Sequence, residues 1–166
     1  MNGAHLHLLA THVPALGVIL GSVLLGFGLW RKHRLLQQTA LAVFVVSALA
    51  TGTAYLTGEG AEEAVEHTIV GTGGHDLIEQ HEDAARYGLI VTGIAAVLAL
   101  SALVAGRGTR AMPRALLLAN LTMGVFASGT LAWVANLGGR INHPEIRSAQ
   151  QAGGDAGHED GDEDDH

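Results

Sequence analysis

The hydrophobic residues of this chain cluster into four long runs separated by polar segments. The runs cover residues 8–30, 39–56, 84–105 and 115–137. Each run has close to the roughly 20 residues that a helix needs to cross the hydrocarbon core of a bilayer. Only structures with internally closed backbone hydrogen bonds survive in lipid, so the pattern predicts four transmembrane helices. The runs lack the polar face of an amphipathic soluble helix, which makes a soluble bundle the weaker interpretation.

The first run does not have the pattern of a cleavable signal peptide. Residues 1–7 contain no Lys or Arg, and the apolar stretch that follows is too long. Pro14 suits the first turn of a helix, so we expect the first helix to begin close to His12. If the helix extends further back, His5 and His12 lie two turns apart on one face.

The basic residues give the four spans a direction. Six of the nine Lys and Arg residues fall in the two short segments after the first and third runs: Arg31, Lys32, Arg34, Arg107, Arg110 and Arg114. All 16 acidic residues fall on the other side. The positive-inside rule then places these two segments in the cytoplasm, and the short loops predict an all-α, up-down-up-down four-helix transmembrane bundle. Both termini and the loop 57–83 are expected on the outer side, which for the inner membrane of a bacterium is the periplasm.

Composition narrows the chemistry available. The chain has 23 Gly but only 4% aromatic residues, a mixture that lets membrane helices approach closely, as at Gly17–Gly21 and Gly124–Ser128. It has no Cys, which excludes disulfides, c-type haem attachment and thiolate-held metals. Residues 148–166 carry acids and no Lys or Arg, so we expect a disordered acidic tail after a membrane domain at 1–147, and no binding of nucleic acid.

Several single polar and aromatic residues have simpler expected roles. Asn120 is expected to form a hydrogen bond with a neighbouring helix rather than bind a ligand. Glu82 and Arg86 are one helical turn apart and suited to pairing. The residues expected in the aromatic belts at the two membrane surfaces are Trp30, Tyr55, Tyr87 and Trp133.

Histidine is concentrated at the predicted periplasmic face. His33 is the one exception and lies among basic residues on the other side. The remaining nine are His5, His7, His12, His67, His75, His81, His143, His158 and His166. Because the outer ends of all four helices meet at one end of such a bundle, this asymmetry indicates a site that uses imidazole there.

One hypothesis is a haem b at the periplasmic face, in an electron-transfer subunit of a respiratory or redox complex. The cofactor-binding residues expected for it are His12 and His81 as preferred axial ligands, His143 next, and Arg86 and Arg140 for the propionates. The small residues expected to make room for the macrocycle are Gly17, Ala84, Ala85 and Gly88. A soluble cytochrome c is the expected partner of the acidic outer surface. The absence of a cytoplasmic histidine pair excludes electron transfer through two stacked haems.

A second hypothesis is a zinc or iron site built from histidine and carboxylate. Glu63 and His67 are four residues apart and can chelate from one helical face. The full set of candidate ligands is His5, His7, His12, Glu59, Glu63, His67, His75, His81, Glu82, His143 and Glu145. A third hypothesis is a structural or assembly subunit of a membrane complex without a cofactor. For the metal site the role stays open between transport, sensing and a membrane hydrolase or oxidase. For the chain as a whole, a redox or accessory subunit fits better than a stand-alone enzyme.

Four polar motifs at the outer ends carry a resemblance to known proteins. They are HLHLLATHVP at 5–14, LTGEGAEEAVEH at 56–67, IEQHEDAA at 78–85 and ANLGGRINHPEI at 135–146. In this motif set the chain resembles a family of uncharacterised bacterial four-span inner-membrane proteins. The resemblance implies a four-helix fold with a polar outer cluster. The architecture is also similar to that of small b-type cytochromes, in which histidines from facing helices bind haem.

Overall fold

The protein folds into four long α-helices. The structure is a computed structural model and describes residues 3–69, 74–108 and 110–142, with side chains described for 12–58, 77–108 and 110–140. The helices are α1 (Gly3–Trp30), α2 (Arg34–Ile69), α3 (Gly74–Ala105) and α4 (Arg114–Asn142). Within these ranges no residue forms a strand. The prediction of an all-helical chain with four helices long and apolar enough to span a membrane is therefore confirmed.

The helices are longer than the apolar runs that revealed them. The apolar parts of the helices are His12–Trp30, Arg34–Gly58, Leu77–Ala105 and Arg114–Arg140. Within the segment 57–83, which was expected as a loop, α2 continues to Ile69 and α3 already begins at Gly74. Hydropathy marks where a helix is apolar, whereas the Ala and Glu of this segment favour helix although the four Glu at 59–66 keep its mean hydropathy low. The predicted acidic tail, 148–166, lies outside the described residues.

The expected start of α1 near His12 is wrong. The helix begins at Gly3, and Pro14 lies inside it instead of in its first turn. Proline removes one backbone hydrogen bond, but membrane helices tolerate it where neighbouring helices surround it, and Pro14 is buried. Because α1 includes both residues, His5 and His12 lie two turns apart on one face of the same helix.

Helices α1 and α2 run antiparallel to each other, and so do α3 and α4. α1 packs on α2 and α4, and α3 packs on the same two helices. In α1, Gly21 faces Phe44 of α2, and Gly28, nearer the end of α1, faces Gln37, nearer the start of α2. In the same opposing order, Gly88 of α3 faces Leu131 of α4, whereas Asn120 reaches back to Ala95. These contacts arrange the four helices in a ring around one core.

The core of the bundle is apolar and centred on Phe44. Its side chain is 1% exposed and lies between glycines of two helices. A Cβ built on Gly21 of α1 would be 3.3 Å from the ring, and one built on Gly124 of α4 would be 2.6 Å from it. Glycine therefore sets the distance between helices here. The outward faces carry large exposed apolar side chains, among them Leu16, Val23, Leu49 and Val97, which is the pattern of contact with a lipid bilayer.

Buried polar groups in the core are few and mostly satisfied within their own helix. The hydroxyls of Ser22, Ser47, Thr51 and Thr92 each donate to the carbonyl four residues earlier. Asn120 is completely buried, and its Nδ2 donates to the Ala95 carbonyl of α3 at 2.6 Å. The prediction that Asn120 bonds a neighbouring helix is confirmed.

The turns at one end of the bundle are tied together by one arginine. Residues 31–33 connect α1 to α2, with Lys32 in the left-handed region at φ 52°. Arg34, the first residue of α2, donates from Nη2 to the carbonyls of Gly106 and Gly108, both at 2.6 Å. The first of these carbonyls follows directly on the end of α3. Arg34 therefore fastens the turn between α3 and α4 to the start of α2.

Candidate functional site

The end of the bundle opposite these turns carries the candidate ligands. Side chains are described for five of the predicted site residues: His12, His81, Glu82, Arg86 and Arg140. For six others the structure describes only a helical backbone position: His5, His7, Glu59, Glu63, His67 and His75. Two more, His143 and Glu145, lie outside the described residues. The geometry of the candidate site is therefore described from the side chains of the first five residues.

His81 has the most constrained surroundings of the described candidates. It lies in α3 near the start of the apolar span, is half-buried, and has a buried Nδ1 atom. Its imidazole lies against Gly138 of α4. A Cβ built on Gly138 would be 3.1 Å from Cε1, 3.6 Å from Nδ1 and 3.9 Å from Nε2. The backbone of α4 thus supports one side of the ring, and only a glycine leaves the ring this space.

Gly138 is a site residue that the sequence reasoning missed. The motif at 135–146 includes the pair Gly138–Gly139, but neither glycine had an assigned role. The two differ in structure, since a Cβ on Gly139 would meet nothing within 4 Å. The sequence offers one indication of this role, a pair of glycines directly before a basic residue at a helix end. The pair alone does not indicate which of the two glycines faces α3.

His12 lies on a different kind of surface. Its side chain is exposed, and at 3.6 residues per turn it shares a face of α1 with the exposed Leu16 and Ile19. The buried face of α1 carries Val18 and Leu25 instead. His12 is therefore not on the face that α1 turns toward the core of the bundle.

The charged candidates differ in their burial. Glu82 and Arg86 are one turn apart on α3 and both are exposed, so water screens any attraction between them. Arg140, in the last turn of α4, is only partly exposed. Its Nε atom is buried and has no hydrogen-bond partner among the described residues. A cation at a helix C-terminus is stabilised by the helix dipole, and because the side chain is partly exposed it can also meet an anionic group.

The small residues expected to make room for a macrocycle are used in helix packing. A Cβ on Gly17 would overlap the hydroxyl of Ser47, and a Cβ on Gly88 would be 3.2 Å from Leu131. Ala84 is completely buried. The bundle is therefore filled by protein at these positions. Any large planar cofactor at this end has to lie further out, beyond the level of Ala84.

The described side chains do not by themselves form a metal site. Among residues 12–58, 77–108 and 110–140, no three His, Cys, Asp or Glu side chains come together as a potential metal site. The helical backbone continues outward, however, and α2 includes Glu63 and His67 one turn apart. α3 includes His75 in its first turn. These candidate ligands thus lie on helices that extend beyond the apolar part of the bundle.

Comparisons with known proteins give no match to this chain. The resemblance to uncharacterised four-span membrane proteins stays a prediction. No protein-family model matches the chain, and no match is found among curated proteins or solved structures.

Proposed function

We propose that this chain is a multi-pass protein of the bacterial inner membrane with both termini in the periplasm. Support comes from the charges at the two ends of the bundle. The segments 31–34 and 106–114 carry six of the nine Lys and Arg residues and no acid, and His81 and Arg140 lie at the other end. Basic residues of short loops stay on the cytoplasmic side of a membrane.

Reporter fusions test this orientation. Alkaline phosphatase fused after residue 166 should be active, because it folds only in the periplasm, and green fluorescent protein at the same place should be dark. A fusion in the turn at 31–33 should give the reverse pattern. A fluorescent C-terminal fusion would refute the proposed direction.

At the periplasmic end, the function that the geometry supports best is binding of haem b for electron transfer. The observation that carries this proposal is the imidazole of His81, held against the α4 backbone at Gly138. Axial histidines need such support, because the groups around the ring fix its orientation toward the iron. Arg140, in the last turn of α4, would supply a positive charge for a propionate. The second axial ligand would come from His12, His143 or the helical extensions, and the redox partner would be a soluble cytochrome c.

A zinc or iron ion is the second candidate, and a separate observation favours it. Because α2 is helical through Ile69, Glu63 and His67 stand at the spacing that lets two side chains chelate one ion from the same helix face. Carboxylates next to histidines have an evident use in a metal site and none in haem ligation.

A visible spectrum of the purified protein decides between the two candidates. With haem b bound, the detergent-solubilised protein should show a Soret band and, after dithionite reduction, a sharp α-band. His81→Ala should abolish both bands. His33→Asn is the matched control, since His33 is the exposed histidine at the opposite end. Asn preserves an acceptor for the hydrogen bond that the Leu36 N–H donates to His33 Nδ1.

The remaining outcomes of this experiment are also decisive. A colourless protein that contains stoichiometric zinc or iron refutes the haem proposal and supports the metal proposal. Full haem occupancy in His81→Ala refutes the assignment of the ligand. A colourless protein without metal from several expression hosts refutes both proposals and leaves a structural or assembly subunit.

A further inference from the structure

The turns at the other end of the bundle form a basic surface without counter-charges. Its exposed cationic side chains are Arg31, Lys32, Arg107, Arg110 and Arg114, and we call these five residues the basic surface. Residues 12–58 and 84–140, which include this whole end, contain no Asp or Glu. The positive charge of this surface is therefore not neutralised by the protein.

The cations of the basic surface are held in place by the fold. Arg31 and Lys32 lie in a connection of only three residues between two helices. On the other side, the double hydrogen bond of Arg34 to Gly106 and Gly108 fixes the start of the turn that carries Arg107. Arg114 is the first residue of α4. Cations carried on a fixed backbone lose less conformational entropy when they bind an anion than cations on a flexible loop would.

An aromatic pair connects this charge to the lipid-facing side of α1. The guanidinium of Arg31 lies 5.9 Å from the ring centroids of both Phe27 and Trp30. The two rings meet edge to face at 5.6 Å. Trp30 is 75% exposed and Phe27 45%, and Val23 continues the exposed apolar face one turn further along α1. Cation, aromatic rings and apolar side chains thus follow one another along the same helix surface.

We propose that the basic surface, together with Phe27 and Trp30, binds anionic phospholipid. The order of these groups along α1 matches that of a phospholipid. The phosphate would contact Arg31 and its neighbours, the interfacial region of the lipid would contact the two rings, and the acyl chain would contact Val23. Juxtamembrane clusters of Lys and Arg attract acidic headgroups, and Trp prefers the headgroup level. A free phosphate ion would use the cations but not the exposed aromatic and apolar groups. This proposal does not depend on what the histidine-rich end binds.

The two tryptophans of the chain allow a direct test. The protein is reconstituted in phosphatidylcholine vesicles that contain a minority of phosphatidylglycerol, with either one lipid or the other brominated. Trp133→Phe leaves Trp30 as the reporter of the basic surface, and Trp30→Phe leaves Trp133, which is 50% exposed on α4, as the reporter of the opposite end. Bromine quenches tryptophan only at close range, so quenching measures which lipid surrounds each residue.

Enrichment of the anionic lipid should be confined to Trp30. Relative to its share of the bilayer, phosphatidylglycerol should quench Trp30 more than phosphatidylcholine does, whereas Trp133 should show no such preference. Replacing Arg107, Arg110 and Arg114 together by Gln should reduce the preference at Trp30. Arg86→Gln, which removes an exposed arginine from the opposite end, should leave it unchanged.

Three results would overturn the proposal. One is equal enrichment of phosphatidylglycerol at Trp30 and Trp133. Another is an unchanged preference at Trp30 in the triple Gln variant that is folded by circular dichroism. The third is complete displacement by inorganic phosphate but not by chloride at the same ionic strength, which would assign the surface to free phosphate.

Discussion

Gly124→Ala should destabilise the bundle by forcing apart helices that now touch. A Cβ at this position would be 2.6 Å from both Phe44 Cζ and Ser22 Oγ, whereas ordinary contacts between carbon atoms are about 3.5–4.0 Å. The ring of Phe44 would have to move by about 1 Å to restore that distance. Its other side is blocked, because Gly21 of α1 already approaches it closely.

The expected magnitude follows from two opposing effects of the added methyl group. Overpacking of a filled core costs about 1–3 kcal/mol, whereas replacing Gly by Ala inside a helix gains about 1 kcal/mol. Gly129→Ala is the matched control, since it lies on the same helix and its Cβ would meet nothing within 4 Å. The difference between the two variants cancels the gain in helix propensity. It should therefore show Gly124→Ala less stable than Gly129→Ala by about 2 kcal/mol.

Reversible unfolding in mixed detergent micelles, followed by circular dichroism during a titration with dodecyl sulfate, measures this difference. Adding Phe44→Leu to Gly124→Ala should recover part of the loss, because the shorter side chain makes room for the methyl group. Equal stability of the Gly124→Ala and Gly129→Ala variants would show that the close approach of α4 to Phe44 does not limit packing. The same conclusion would follow if the changes in the free energy of unfolding from Phe44→Leu and Gly124→Ala simply summed in the double variant.

Three further predictions concern single contacts. Arg34→Gln should lower the free energy of unfolding by about 1–2 kcal/mol and make the turn between α3 and α4 more accessible to proteolysis. Unchanged cleavage in this turn would show that the two hydrogen bonds do not hold it. Asn120→Leu should change stability by less than about 1 kcal/mol, because it removes one hydrogen bond and also the buried Oδ1, which has no partner among the described residues. Asn120→Ala should cost more because it leaves a cavity, and the reverse order in the same unfolding titration would contradict this. Gly138→Ala should displace the ring of His81, which would shift the NMR resonance of its Cε1 proton, whereas Gly139→Ala should not. A resonance that shifts in Gly139→Ala but not in Gly138→Ala would contradict this contact.

Much of the fold could be predicted because lipid imposes a single constraint on the backbone. A segment that crosses hydrocarbon must be apolar and must satisfy its own hydrogen bonds, so hydropathy located all four helices. Hydropathy could not locate the outer ends of these helices. Residues 59–69 are polar and yet helical, since outside the hydrocarbon the helix no longer has to be apolar. Pro14 has the opposite effect, because proline is favoured at helix starts but is also tolerated inside a membrane helix that packs against others.

Contacts between distant residues were beyond the reach of the sequence pattern. Asn120 was correctly expected to bond a neighbouring helix because a lone amide among apolar residues has few other partners. Arg34 was counted only as a positive charge in a loop, and its bonds join residues more than 70 positions apart. The contact of His81 with Gly138 likewise depends on how α3 and α4 align. Periodicity and composition carry no information on such alignment.

The continuation of α2 past Gly58 also determines how the molecule meets its surroundings. Residues 59–69 rise by about 16 Å if they keep the usual helical rise, whereas the headgroup layer of one leaflet is only about 5–8 Å thick. If the hydrocarbon layer ends near Gly58 and the helix stands upright, the end of α2 would extend past the headgroup layer. A large water-soluble molecule could then contact this end of α2 without first adsorbing to the bilayer. Encounter with such a molecule would then be governed by diffusion in three dimensions and by ionic strength, and much less by the lipid composition of that leaflet.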